Sequence, residues 1–462
     1  MKNIYKLIGT IVLSFNLVVP NLVLIAQESS VTSILNDNLD SSGLNQGQLV
    51  NCFDTYKFQN IDISSGLSQS IYNPGDMVEI SADIFNKNTY PIIDAEVRAK
   101  ILKSHPNPVE DRAKYITIDD IILKDNLILK PNESYNLKYD YFIPVDATGG
   151  DYIVQYYIYN QDRFNLAGLS FTEDVVGNIT SFSVEGKFSD IYLDKTNITV
   201  DGKIHNSRGF MTQHESNKNI PVKLPLINST SENQEMEVSY KLYKWDSILE
   251  NNFIKEEKQV VIVNANSKLS LEYNIEAQEE PVYYLVITAK KYGELAESTA
   301  KKQTMAHIRF AIEGENKPRI NWVGLDKYPF KKGDEVQLVV CAHNTSNSTD
   351  LGPIRILSVV RDIRGRILTR VDYEGKMLSA VSGLSNTFKV DRSLNIVNIE
   401  TSIYNSNNEL VDNIKTTYNC KDINPELCSD ESNFWNIFIT IISIIGISAG
   451  VVMFIRYNKL KK

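Results

Sequence analysis

Five histidines, four cysteines and a few adjacent carboxylates are the groups from which this 462-residue chain could most readily build a reactive site. A hydrolytic centre needs a nucleophile, a base and an orienting group, and histidine is the commonest base. His105, His205, His214, His307 and His343 are too scattered for any two to ligate a metal from one element. His205 and His214 fall in a polar stretch read as a loop, and His343 falls at a strand exit, so these three are expected in solvent. Asp119 and Asp120 are adjacent, but neighbours on a strand point to opposite faces, which predicts a solvated strand edge rather than an acid and base pair. Glu185 with Asp190, and Glu313 with Glu315, supply too few oxygens for calcium, which takes six to eight. There is no glycine-rich phosphate loop and no Cys-x-x-Cys pair. The expectation is a non-enzymatic chain with no catalytic residue, no metal and no cofactor.

The cysteines and aromatics leave narrower choices. Cys420 and Cys428 flank Pro425 and could close a small loop. Cys341 lies on the wet face of its strand by alternation and could pair with Cys420 instead; spacing does not choose between these pairings, and Cys52 stands far upstream. Tyr240, Tyr243 and Trp245 on one strand, and Tyr156, Tyr157 and Tyr159 on another, could stack on a sugar if exposed and coplanar, or pack across strands if buried. Asn132, Asn178, Asn197, Asn228, Asn344 and Asn347 each begin an Asn-x-Ser/Thr triplet, which is read as a sign of exposed turns.

The elements that must carry these groups are strands. Tyr, Ile, Val, Asn, Ser and Thr are abundant, and helical periodicity is confined to the two ends. At the N-terminus, Lys2 and Lys6 precede a nearly uncharged run from Leu7 to Ala26, the pattern of a signal peptide over residues 1–26, which could also remain as an uncleaved anchor. Phe434 to Ile455 carries no charge and is long enough to cross about 30 Å of hydrocarbon as a helix. Asp430 and Glu431 precede it, whereas Arg456, Lys459, Lys461 and Lys462 follow, which places the short tail in the cytoplasm and the bulk of the chain outside. The net charge of −9 argues against a nucleic-acid partner.

Self-similarity sets the expected architecture. Phe182-Ser-Val-Glu-Gly186 returns as Phe310-Ala-Ile-Glu-Gly314, about 130 positions later, and a Gly beside an Asp recurs at Gly75, Gly202 and Gly333 with about the same period. In the first copy Val78, Ile80, Ala82 and Ile84 alternate with polar residues, and Val336, Leu338, Val340 and Ala342 repeat this in the third. The run Tyr72-Asn-Pro-Gly-Asp-Met-Val78, with Asn86 and Asn88, Leu129-Lys-Pro-Asn-Glu-Ser134 and Gly149-Gly-Asp-Tyr152, resembles the CARDB-like and related immunoglobulin-like repeats of prokaryotic cell-surface proteins. That resemblance implies seven-stranded sandwiches used as spacers or adhesion modules.

The predicted organisation is all-β: a linker over 27–58, immunoglobulin-like sandwiches over 59–186, 187–314 and 315–420, a juxtamembrane segment over 421–433, a transmembrane helix over 434–455 and a basic tail over 456–462. Such a chain is expected to be a membrane-anchored stalk, adhesion or partner-binding array that meets a protein or glycan at the cell surface. The rival expectation is a carbohydrate receptor using Tyr240, Tyr243 and Trp245. Each sandwich is expected to own its core and fold alone.

Overall fold

The computed structural model describes residues 48–50, 61–88, 91–109, 113–160, 164–167, 179–205, 213–214, 219–245, 248–276, 282–293, 303–312, 318–344, 353–376 and 381–423, with residues 280, 425, 428, 442 and 443. The expected signal peptide, transmembrane helix and basic tail, and Cys52, lie outside the described residues, two positions of the apolar span apart. Among the described residues no helix is long and apolar enough to cross a membrane. They form one compact unit and are almost entirely strand.

The first sandwich sets β2 (Ile61–Leu67), β4 (Met77–Asn86) and β7 (Ser134–Phe142) against β6 (Ala113–Leu129), β5 (Ile92–Val109), β8 (Gly150–Asn160) and β10 (Ile179–Val184). The short β3 (Ile71–Tyr72) crosses over to pair in parallel with β10, and β9 (Phe164–Ala167) pairs with β8. Alternation explains the core: Val78, Ile80, Ala82 and Ile84 on β4 and Val97, Ala99 and Ile101 on β5 are all buried in one cluster.

The second sandwich repeats the plan. Its first strand is split by a short 3-10 turn into β11 (Ile191–Leu193) and β12 (Thr199–Val200), both paired with β15 (Asn219–Asn228). A stub, β13 (Lys203–Ile204), pairs with β12, and β14 (Gln213–His214) pairs with the sandwich's last strand. The partner of β15 on its far side is β18 (Ser267–Glu276); the opposing layer runs β17 (Phe253–Val263), β16 (Gln234–Lys244), β19 (Val282–Lys291), β20 (Gln303–Ile312).

In the third sandwich β21 (Pro318–Leu325), β22 (Glu335–Asn344) and β25 (Val381–Lys389) face β24 (Ile367–Gly375), β23 (Ile354–Asp362), β26 (Ile396–Tyr404) and β27 (Leu410–Asn419). The order is therefore the same three times: first, second and fifth strands in one layer, third, fourth, sixth and seventh in the other. This is an immunoglobulin-like arrangement. Within the stretch read as a linker, β1 (Gln48–Val50) adds to the edge of β25, so the third sandwich is completed by a segment that precedes the first.

Two turns show why the repeat was visible. Gly75 and Gly333 hold φ of 91° and 95°, the left-handed region that glycine enters freely. In both, the following Asp accepts a backbone N–H three residues upstream, from Asn73 to Asp76 and from Lys331 to Asp334, each at 2.7 Å. A second recurring device is an asparagine at the strand corner. Asn86 and Asn228 close the second strand of their sandwiches with buried amides: Asn86 donates to the carbonyls of Leu129 and Lys130, and Asn228 to those of Glu232, Val263 and Asn264. Asn228 is thus a buried corner and not an exposed turn, because its neutral amide donates to the carbonyls the turn leaves unpaired while its oxygen accepts from Thr230.

The sandwiches do not stand apart. Trp322, Val339 and Cys341 of the third pack into the core cluster of the first, and Ile93 of the first packs into that of the third. Cys341 is consequently buried and disulfide-bonded, which corrects its expected place on a wet face: the strand alternates as predicted, but its second face is covered by a neighbouring sandwich. The layer β17-β16-β19-β20 joins β6-β5-β8-β10-β3 through the pairing of Met305 with Thr117, making one continuous sheet across the first two sandwiches.

Shared burial ties the first and third sandwiches together, whereas the second keeps a core cluster of its own. Ile80→Asp should cost about 3 to 5 kcal/mol by burying an unpaired charge, and hydrogen exchange should then rise in β21 and β22 as well as in β4 and β5. Exchange confined to the first sandwich would mean that the packed faces are not energetically coupled.

Candidate functional site: a buried charged seam beside an open acidic cleft

β5 alternates strictly where it crosses the first two sandwiches. Val97, Ala99 and Ile101 enter the core, so Arg98 and Lys100 point the other way, opposite Tyr157 and Gln155 on β8 and Ile122 and Asp120 on β6. β20 follows the same logic: Ala306, Ile308 and Phe310 face the second core, and His307 and Arg309 turn outward. These outward faces are where the two sandwiches close on each other, so the charged residues are buried.

Asp120 is the hub. Its carboxylate accepts from Arg98 Nε at 3.0 Å and from the Tyr157 hydroxyl at 2.6 and 2.7 Å, and it lies 3.1 Å from His307 Nε2. The Asp120 and His307 side chains each keep only 1% of their surface. Arg98 also holds Glu96 at 2.8 Å. Lys100 lies 5.5 Å above the Tyr157 ring, and Lys195 donates to Thr117 at 2.8 Å. The solvated strand edge expected for Asp119 and Asp120 is corrected accordingly: Asp119 accepts from Gln303 on β20 at 2.7 Å, and Asp120 is sealed in.

Burial and charge set the protonation states. Burial alone would raise Asp120, but Arg98, His307 and Lys100 outweigh it and hold the carboxyl well below the usual range. Burial, aided by Lys100, brings His307 down to about 4 against the pull of Asp120. Lys100 falls to about 8, through burial first, with Asp120 opposing and Arg98 assisting, and Lys195 is lowered by burial and by Lys100. At neutral pH the seam therefore holds an ionised Asp120 and a neutral His307. Its chemistry is that of a tie: no solute reaches Asp120 or His307 while the sandwiches stay together.

Two further ties flank it. Lys103, fully buried, meets Asp190 and donates to the Thr148 carbonyl at 3.0 Å, with the Phe188 ring 4.6 Å from its ammonium. Asp190 thus receives a lysine where the sequence offered it only as a weak calcium ligand; Glu313 and Glu315 lie outside the described residues. His105 stands 3.5 Å from Asp194 across the same junction. No group of three or more metal-ligating side chains occurs among the described residues.

The remaining residues singled out by sequence fall as follows. Tyr240, Tyr243 and Trp245 are buried. Tyr240 stacks on Tyr273 at 4.5 Å, and Trp245 lies under the Arg319 guanidinium at 4.3 Å, bridging the second and third sandwiches. They form no exposed platform. Tyr156, Tyr157 and Tyr159 are buried as well, and so is His205, contrary to its expected solvation. His214 lies on β14 and His343 on β22. Cys420 is bonded to Cys428, and the described residues contain no free cysteine.

Beside the seam, all three sandwiches border an open cleft of about 700 Å³. Asp94, Glu96 and Asp125 come from the first, Glu250 from the second, and residues 413–417 of β27 from the third. Desolvation at the cleft wall, and after it the Asp422 carboxylate, push Asp94 up although its side chain still meets solvent. No spacing rule could have joined these residues, because each comes from a different sandwich or from the irregular end of the β5 and β6 pair.

No family model matches the sequence, and no curated protein matches it. Among solved structures, trypsin-activated alpha-2-macroglobulin from Escherichia coli superposes with a TM-score of 0.30 at 9% identity, covering 81% of this chain and 24% of that one. A Salmonella alpha-2-macroglobulin gives 0.32 at 10% identity, with 82% and 24% covered. A red sea bream transglutaminase gives 0.23 at 10% identity, with 50% and 31% covered. The chain spans about a quarter of the macroglobulins it is aligned with, and superpositions this loose assign neither family nor function.

Acid should loosen the seam with a definite sign. His307 titrates at about 4 when folded and near 6.5 when unfolded, so the unfolded chain binds more protons between these values, and stability is complete above 6.5 and lost as pH falls through 4. The loss approaches about 3 kcal/mol. Asp120 adds in the same direction only below about 4, where its unfolded form protonates. Lys100 acts at the other end, adding stability as pH rises from about 8 to its ordinary value of 10.5. Urea unfolding at pH 7 and pH 4.5 should show the first loss in the natural protein and not in His307→Gln; equal slopes would remove His307 from the account.

Proposed function

We propose that the chain is a membrane-anchored extracellular surface protein that acts without catalysis, and that its three immunoglobulin-like sandwiches present one rigid partner-binding body. The observation that carries this reading is the cleft bounded by all three sandwiches, together with the interlocked cores that fix its walls. A spacer whose domains met only through linkers would lack such a feature. Export is supported by the sequence at both ends and by the bond between Cys420 and Cys428, which belongs to an oxidising compartment. The likeness to CARDB-like surface repeats belongs to the same reading. The carbohydrate alternative loses its support with the burial of Tyr240, Tyr243 and Trp245.

Protease added to intact cells should trim the chain to a remnant that begins near Phe434 and retains the basic tail. A full-length chain that is cut only after the membrane is permeabilised would overturn the surface reading.

A further inference from the structure

β27 is the outer strand of its layer. It pairs with β26 on one side and, among the described residues, with no strand on the other. β21 reaches it at two points, where the Ile320 N–H meets the Asp412 carboxylate at 2.8 Å and the Leu325 N–H meets the Tyr418 hydroxyl at 3.1 Å. Between those points residues 413–417 line the cleft. An open strand edge is a template for another extended chain, since its outward N–H and C=O groups can be matched by a strand.

The walls add a second, independent requirement. The cleft holds the carboxylates of Asp94, Glu96, Asp125 and Glu250 against one lysine, Lys415. Lys415 is engaged by Glu400 at 3.1 Å on its own sheet, and Glu96 by Arg98. Asp94, Asp125 and Glu250 are exposed, and Asp125 is met only loosely by its neighbour Lys124 at 3.9 Å. The local field is negative. At about 700 Å³ the space suits a slender ligand and not a folded domain, and five strand residues span about 17 Å.

We propose that the cleft binds an extended, lysine- or arginine-bearing segment of a partner protein, added as a strand along the β27 edge with its cations toward Asp94, Asp125 and Glu250. The assignment rests on the reading of the chain as a partner-binding body and names the class of partner. Backbone pairing supplies affinity without sequence demand, and the three carboxylates select positive charge.

The test uses the full chain in detergent and a fluorescent decapeptide alternating lysine and valine, followed by anisotropy at low salt. Binding should be saturable and one-to-one. A glutamate and valine decapeptide should not bind, and N-methylation of alternate amides, which keeps the charge but removes donors, should weaken binding by roughly tenfold or more. Asp125→Asn combined with Glu250→Gln, both at exposed positions, should weaken it roughly three- to tenfold while leaving thermal unfolding unchanged. Absence of saturable binding, equal affinity of the N-methylated peptide, or an unaltered double variant would each overturn the assignment. None of these results bears on surface display, which the protease experiment decides separately.

Discussion

A carboxylate withdrawn from water must be matched, and the matching of Asp120 organises the first two sandwiches. The ion alone would lose several kcal/mol of hydration, so its burial is tolerable only because Arg98, Tyr157 and His307 converge on it from β5, β8 and β20. Arg98 and Tyr157 stand on strands of the first sandwich and His307 on a strand of the second, so the surroundings of one carboxylate span the junction. Closing the seam is a condition of burying Asp120, and burying Asp120 fixes how the seam closes. A greasy interface of the same area could slide; an Arg, a phenol and an imidazole around one carboxylate have a single register.

The third sandwich is held by a different force. Trp322, Val339 and Cys341 enter the first core, and Ile93 answers from the first into the third. Apolar burial is non-directional and scales with area, so it supplies adhesion where the charged seam supplies position. β1 adds backbone hydrogen bonds between the start of the described chain and β25. The product is a body in which the first and third sandwiches share buried residues, which separates it from an array of beads.

Sequence showed what one strand can reveal about itself. The alternation of Val78, Ile80, Ala82 and Ile84, the turn glycines at Gly75 and Gly333, and the repeated final strand ending at Gly186 follow from local rules, and all-β architecture follows from them. What failed is equally specific. Alternation with core residues points Cys341 to water, and the adjacency of Asp119 and Asp120 points that pair to a solvated edge, yet either pattern says only how a side chain stands to its own strand and core. Whether that outer face meets solvent or another sandwich depends on contacts hundreds of residues away. Asn228 failed for a related reason: an Asn beside a turn reads as exposed, and the carbonyls that its amide satisfies lie on a different strand. Lys100 and Lys103 carry a signal of their own, since cations placed within an otherwise apolar strand are costly unless a partner surface covers them.

Rigidity and openness in this molecule have one origin. Because Arg98 is committed to both Asp120 and Glu96, the end of β5 that carries Asp94 is anchored from within, and its carboxylate is presented beside β27 rather than left to swing with a linker. Because Ile93, the residue before Asp94, is fixed in the third core, the opposite wall is set by the same strand. Consecutive residues of one strand thus face the first and third sandwiches' sides of the cleft, while Glu250 closes it from the second. Preorganisation of this kind lowers the ordering cost of binding, which matters most for a flexible peptide that must itself be ordered along the edge.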